Sequence, residues 1–573
     1  MLSNLAVKQK RLVLTGLMLG MLLSALTSTI VSTAMPRIIA SLGGMEYLSW
    51  ALTAYMLSST VAMPIAGKLS DMFGRKPFYI GGIIIFLIGN ILCGTSGSIT
   101  EFIIFRAIAG VGGGVMQANA MTIIADLYPP AKRGKYQGMI GGVFGIASVI
   151  GPVMGGYITD HWNWSWVFWV NIPLGLIAIL VLSHALPKTS SGRKRSSIDY
   201  PGALLLIGAF TPMLISFTWA GSKYTWLSFP VISLLLVSLG ALIIFRWVEK
   251  RAEEPIVPLT LFKNSAYNIS VITAFLMSVA MFGTLMYMPM FIQGVMGFSA
   301  AHSGIAIVPM MGGLIVASVV SGQIVSRTGK YRILAIGGFI LMTLAMILLS
   351  RMDERTTTTQ LVFNMILFGL GLGIALPIFV VIVQSAFPHS QVGIVTSGLQ
   401  FFRSIGGTFG VALMGSVLNK RFRDAALEIL PIETRTKLSG AQLHLFNTPQ
   451  ALFSENAIEE LTRNSDPQTA SGILEAVGQL RAVLADAFHA VFLLGIVVIA
   501  AALIMSFFLK EIPLRHSNEN AADQAGMEMA ADATAVPGVM IPPEGQPDIY
   551  QEDSPSSRVH RSTRSPHPQE SPK

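Results

Sequence analysis

The sequence predicts an all-α integral membrane protein of fourteen transmembrane helices: two six-helix halves plus two inserted helices. Three observations carry this. Only 12% of the 573 residues are charged, against about a quarter in soluble chains. Fourteen apolar runs are each long enough for a helix to cross roughly 30 Å of hydrocarbon, which takes about 20 residues. A motif that follows the second run returns, altered, after the tenth.

The first six runs lie at 12–34, 49–69, 78–98, 101–124, 136–158 and 165–186. Two follow at 200–219 and 229–247, and the last six at 267–292, 303–323, 333–350, 360–385, 396–418 and 488–510. Helix is the form expected, because an open strand leaves backbone groups unsatisfied in lipid. The first run follows Lys8, Lys10 and Arg11. It is longer than a signal-peptide core, and many spans come after it.

Alternate loops are basic: Lys68, Arg75 and Lys76; Lys132, Arg133 and Lys135; Lys188 to Arg195; Lys250, Arg251 and Lys263; Arg327, Lys330 and Arg332. Basic loops stay in the cytoplasm, so both termini are expected there. This pattern accounts for the formal charge of +9 without nucleic acid as a partner; the bilayer is the partner implied. Cys93 is the only cysteine, so no intrachain disulfide forms.

The organisation expected is a cytoplasmic N-terminus at 1–11, a first half at 12–186, two inserted spans with linkers at 187–266, and a second half at 267–510. An outer loop at 419–487 interrupts the second half, with Asp466-Pro467 opening a helix toward Leu484 and another helix-like stretch at 454–463. A cytoplasmic tail at 511–573, rich in Ser and Pro, is expected to be disordered.

Four motifs carry chemistry. GKLSDMFGRK, Gly67 to Lys76, follows span two, and Gly322 to Lys330 repeats its glycines and basic residue after span ten, with Ser326 in place of the acid. Glycines permit a tight turn there. Asp71 can pair with basic groups or sit at a helix N-terminus, and Arg75 can reach an acid, with Asp126 the candidate. Arg106 lies inside span four, where a charge costs at least about 2.5–3.5 kcal/mol and needs a cavity or a partner. Gly145, Gly151, Pro152, Gly155 and Gly156 give span five a small, bendable face. WSWVFWVNIPLG, Trp164 to Gly175, opens span six, and its tryptophans also suit the membrane interface.

In order and position these motifs resemble the major facilitator superfamily, specifically its 14-span drug:proton antiporter branch, over about residues 10–515. The resemblance implies a location in the plasma (inner) membrane and no cofactor or metal. It implies that Gly67, Asp71, Gly74, Arg75, Lys76 and Asp126 form a latch stabilising an outward-open state. It gives Arg106 a role in proton coupling or substrate contact, and the span-five motif a role in export. Secondary transporters commonly bind substrate between repeated halves. The cavity candidates are Thr27, Tyr55, Gln117, Asn119, Tyr287, Asn364 and Gln384.

Span one departs from the pattern. Relatives carry Leu-Asp-x-Thr-Ile-Val where this chain reads LTSTIV, so Thr27 stands at the acid's position. A buried carboxylate is the natural proton carrier, and Thr27 cannot serve. Three readings stay open: Glu46 or Glu101 carries the proton from a shallower position, coupling differs, or coupling is absent. The function expected is export of drugs or toxic small molecules in exchange for protons. The alternative is export of a lipid, amino acid or other metabolite with altered or absent coupling. A membrane sensor built on a transporter fold is a third reading, which the intact motifs argue against. No metal spacing, nucleophile elbow or phosphate loop points to an enzyme.

Overall fold

The computed structural model describes residues 5–43, 47–187, 198–221, 223–298, 304–388, 391–429 and 467–511. All of these fall in one compact unit, Met1–Asn520. Glu46, the stretch at 454–463 and the tail from 512 lie outside the described residues.

Among the described residues fourteen long helices follow in chain order. In the first half they are α1 (Val7–Leu42), α2 (Leu48–Phe73), α3 (Arg75–Gly94), α4 (Ile99–Leu127), α5 (Pro130–His161) and α6, which runs Trp166–Trp169 and, after Val170, Asn171–Ala185. Then come α7 (Tyr200–Trp219) and α8 (Phe229–Glu249). The second half holds α9 (Ser265–Gly294), α10 (Val308–Thr328), α11 (Tyr331–Ser350), α12 (Thr358–Ser385), α13 (Val392–Ile429) and α14 (Pro467–Phe507). Among the described residues thirteen spans are long and apolar enough to cross a membrane. The other helix, α2, is more polar, with Thr53, Ser58, Ser59 and Thr60 in its middle.

Local signals fix several helix ends. Ser98 accepts from Glu101 N to start α4, and Asn264 accepts from Ala266 N and Tyr267 N to start α9. Thr357 and Gln360 form a reciprocal capping box at α12. Each satisfies N–H groups that the helix itself cannot. Gly74 ends α2 at φ 97° and Gly329 ends α10 at φ 68°, a backbone region that favours glycine.

Packing repeats between the halves. In the first, α2 packs on α4, α1 on α5, α3 on α4 and α1 on α6. In the second, α10 packs on α12, α9 on α13, α11 on α12 and α9 on α14. Adding eight to each helix number converts one pattern into the other. The same operation exchanges the two seams between halves, α2 on α13 and α5 on α10. Small residues set these seams, because in lipid close backbone approach replaces the hydrophobic drive. A Cβ at Gly134 of α5 would lie 2.7 Å from Gly322 Cα of α10. Gly67 of α2 lies against Ser397 and the Gly393 carbonyl of α13. The repeated motif glycines thus occupy matching places on the two seams.

The inserted pair sits at the periphery. Helix α7 packs on α2 and α13 as well as on α8. It joins Val61, Phe401 and Ile405 in one apolar cluster. Leu236, Val237, Ile243 and Ile244 of α8 are exposed, as lipid-facing residues are.

The outer segment expected at 419–487 is helical at both ends, with the second helix starting at Pro467 as the sequence predicts and the first an extension of a span. Helix α13 continues to Ile429, and α14 starts at Pro467 and runs unbroken into its span. At 1.5 Å per residue, 38 and 41 residues make about 57 and 61 Å, well beyond a hydrocarbon core of about 30 Å. Leu480, Leu484 and Phe488 recur at four-residue spacing and are buried in one core with Leu418 and Phe422. That apolar stripe holds the projecting ends together.

Candidate functional site

The site is built on the α2–α3 turn. Gly74 lets the chain reverse, which places Asp71 and Arg75 one helical turn apart across it. Arg75 Nη2 pairs with Asp71, and Arg75 Nε donates to Asp126 Oδ2 of α4 at 3.0 Å. Arg75 Nη1 also donates to Ser70 Oγ at 2.7 Å. One guanidinium therefore ties α2, α3 and α4 together. Asp71 Oδ2 accepts from Ile394 N at 2.9 Å, in the first turn of α13. That N–H is an orphan donor at a helix N-terminus, where a carboxylate is favoured. Asp71 thus links the first half to the second. Its counterpart Ser326 carries no charge. Lys76 Nζ donates to Ser183 O at 2.6 Å and fastens α3 to α6.

The other seam carries a second polar crossing near the same end. Buried Arg133 of α5 donates from Nε to Tyr128 O and from Nη2 to Ala125 O, both at 2.9 Å, which caps the end of α4. Its Nη1 donates to Gln384 Oε1 of α12 at 3.1 Å, and Gln384 Nε2 donates to Thr396 Oγ1 of α13 at 3.0 Å. Gln384, a cavity-lining candidate, is therefore buried in an inter-half network; a polar residue in a span can serve a seam as well as a pocket. Arg133 read in the sequence only as a topology signal.

Arg106 sits deeper in the bundle, 2% exposed. Its guanidinium lies over the Tyr55 ring, 4.7 Å from the centroid, and its Nε faces Ala51 O at 3.4 Å. Tyr55 Oη is 2.7 Å from Ser24 Oγ of α1. Arg106 Nη1 is buried without a hydrogen-bond partner. Among the described residues Arg106 makes no ion pair.

The span-five motif divides its contacts. Gly145 faces Met311 of α10, while Gly151 and Gly155 face Thr29 and Ile30 of α1. Thr29 Oγ1 donates to Ala147 O at 3.0 Å. Pro152 lies inside α5, and a Cβ at Gly156 would meet open space.

The remaining candidates are scattered. Thr27 is fully buried and donates to Leu23 O of its own helix at 2.9 Å. Asn119 and Asn364 are buried, with Asn119 bonded to Val115 O. Gln117 is half-buried. Tyr287 of α9 donates to Val411 O of α13 at 2.8 Å. Glu101 is exposed and accepts from Gly97 N at 2.9 Å, so it belongs to the α4 cap. Sequence reasoning missed Arg403 of α13, a basic residue inside an apolar span; that position was the signal.

Residues 17–411 match the sequence profile described as Major Facilitator Superfamily. The chain belongs to the major facilitator superfamily. It is 38% identical over 544 residues to the Multidrug transporter protein MdtP of Bacillus subtilis, covering 92% of this chain and 98% of that one. It is 34% identical over 510 residues to Multidrug resistance protein 3 of the same organism, covering 89% and 97%. Solved structures share the fold: the human organic anion transporter MFSD10 at TM-score 0.55 and 16% identity, covering 85% of this chain and 99% of that one, and the proton:xylose symporter XylE at 0.55 and 13%, covering 90% and 98%. As a superfamily member, the chain is a multi-pass membrane transporter.

Proposed function

We propose that this transporter is a secondary active exporter, moving drugs or other toxic small molecules across the plasma membrane by alternating access in exchange for protons. The observation that carries the reading is the docking of Asp71 on Ile394 N of α13, with Arg75 and Asp126 bracing it. The Arg133–Gln384 crossing closes the other seam at the same end. With the basic loops in the cytoplasm, these contacts close the cytoplasmic end, and transport proceeds when the latch releases and the halves rock. The names of the two Bacillus relatives support drugs as substrates.

The buried, uncharged Thr27 favours a second reading, in which a metabolite is exported with altered coupling or none. Glu101 is occupied by its helix cap, which leaves Glu46 as the shallow acid to test first.

Export of ethidium and of carboxyfluorescein from loaded cells, with and without a protonophore, tests the proposal. Export of either dye that is lost with the protonophore and in Arg106→Ala supports it. Retention of both dyes by cells with the protein correctly inserted overturns it. Export that persists with the protonophore selects the second reading.

A further inference from the structure

Among the described residues the membrane interior holds two arginines, Arg106 buried and Arg403 half-buried, with donors left over and no carboxylate to answer them. Arg106 Nη1 and Arg403 Nε are both buried without a hydrogen-bond partner. Arg403 Nη1 donates to Gln400 Oε1 at 2.5 Å, a neutral acceptor one turn away. Neither arginine makes an ion pair among the described residues. On α1, α2, α4, α5, α9, α10, α12 and α13 the acids are Asp71, Glu101, Asp126, Asp160, Asp424 and Glu428. All six lie within two turns of a helix end, Glu101 at the start of α4 and the others toward the ends of α2, α4, α5 and α13. The central turns of these eight helices carry positive charge alone.

The register of α13 directs Arg403 inward. Successive helix residues turn by about 100°. Ser404 pairs with Thr60 of α2. Phe401 and Ile405 pack with peripheral α7, and Gly406 and Gly410 lie against the α9 backbone. Arg403 occupies the remaining sector, away from α7 and between the faces turned to α2 and α9. Gly407, one turn on, approaches the Phe282 ring of α9, so Phe282 borders this sector. Arg106 stacks on Tyr55, and Ser404 beside Arg403 meets Thr60, five residues further along α2. At 1.5 Å per residue that is a separation of about 7.5 Å along the α2 axis. Two guanidiniums thus flank one helix at the interface of the halves. A desolvated guanidinium gains most from a carboxylate, which accepts its paired donors.

We infer that the transported substrate is an amphipathic organic anion, with its carboxylate answered by Arg403 and Arg106 and its apolar body held among residues such as Phe282 and Tyr55. This rests on the exporter reading and names its substrate class. The substrate itself supplies the missing negative charge, which gives Thr27 in place of an acid a physical sense.

The test is fluorescence binding to the full-length protein in nanodiscs, with dansyl-labelled undecanoate and its primary amide, which differ only in charge. The acid is expected to bind at least about tenfold tighter than the amide. Arg403→Gln should bring the acid down to the amide's affinity without moving the amide. Arg403→Lys, which keeps the charge and guards against misfolding, should restore part of the preference. Acid and amide binding alike to the wild type, or an acid preference unchanged in Arg403→Gln, overturns the inference. If ethidium is still exported in that case, the exporter reading stands. Tight, Arg403-dependent acid binding with no export of acid or dye upholds the inference about charge and sinks the exporter reading instead.

Discussion

Asp71 Oδ2 accepts the backbone N–H of Ile394 at 2.9 Å, so one carboxylate on α2 closes the first turn of α13. A hydrogen bond to a charged group is worth about 1.5–3 kcal/mol. Asp71→Asn keeps the shape and removes the charge. It is expected to slow export at least about tenfold with protein abundance in the membrane unchanged. Quantified dye efflux against immunoblotted protein checks this, and wild-type rates in the variant would refute the latch.

Arg75 serves Asp71 and Asp126 with different nitrogens. A lysine offers a point charge and cannot hold both carboxylates in one geometry. Arg75→Lys is therefore expected to behave as badly as Arg75→Ala. Breaking one partner of a buried ion pair costs about 3–5 kcal/mol, so both variants should unfold at clearly lower temperature than the parent. Thermal unfolding of the purified proteins in detergent gives the answer. Full stability in Arg75→Lys would mean that one carboxylate contact suffices.

Gly67 lies against Ser397 and the Gly393 carbonyl of α13. A branched side chain there meets backbone on the opposing helix, which cannot step aside. Gly67→Val is expected to wedge this seam open and abolish export while the protein still inserts. A cysteine placed at Ser397 should then react faster with a membrane-permeant maleimide than it does beside Gly67. Equal labelling rates would show that the seam does not close there.

Arg106 lies over the Tyr55 ring and donates to Ala51 O, and among the described residues no carboxylate pairs with it. The planar guanidinium suits that stack and an ammonium suits it less. Arg106→Lys is expected to retain at most about a tenth of the export rate, and Tyr55→Leu to lose a comparable share. Retained export in Tyr55→Leu would separate the stack from function.

The α2–α3 motif was legible because turn glycines, an acid and a basic residue at fixed spacing admit few geometries. Its echo at Gly322 announced the duplicated halves, and the chain pairs both glycines with matching seams. Arg106 stood out as a charge in an apolar run. Arg403 had the same mark but sat among aromatic and small residues that drew no attention. Arg133 looked like every other loop cation, because loop charge says nothing of what it caps. Gln384 could not be placed by sequence: a buried amide reads alike whether it faces a cavity or the opposite helix. The outer start of α14 was legible in Asp466-Pro467, while the extension of α13 to Ile429 was hidden because its apolar residues there are mixed with charged ones such as Lys420, Arg421 and Arg423.

Helix α13 has one end beneath Asp71 and the other, near Phe422, packed on α14 beyond the hydrocarbon. Its 38 residues form a lever of about 57 Å. A tilt of about 10° at the latch carries the far end by about 10 Å over that length. The state of a lock on one face of the membrane is thereby displayed on the other. A binder or fluorophore fixed to the tip would report, or force, the opening of a contact that it never touches.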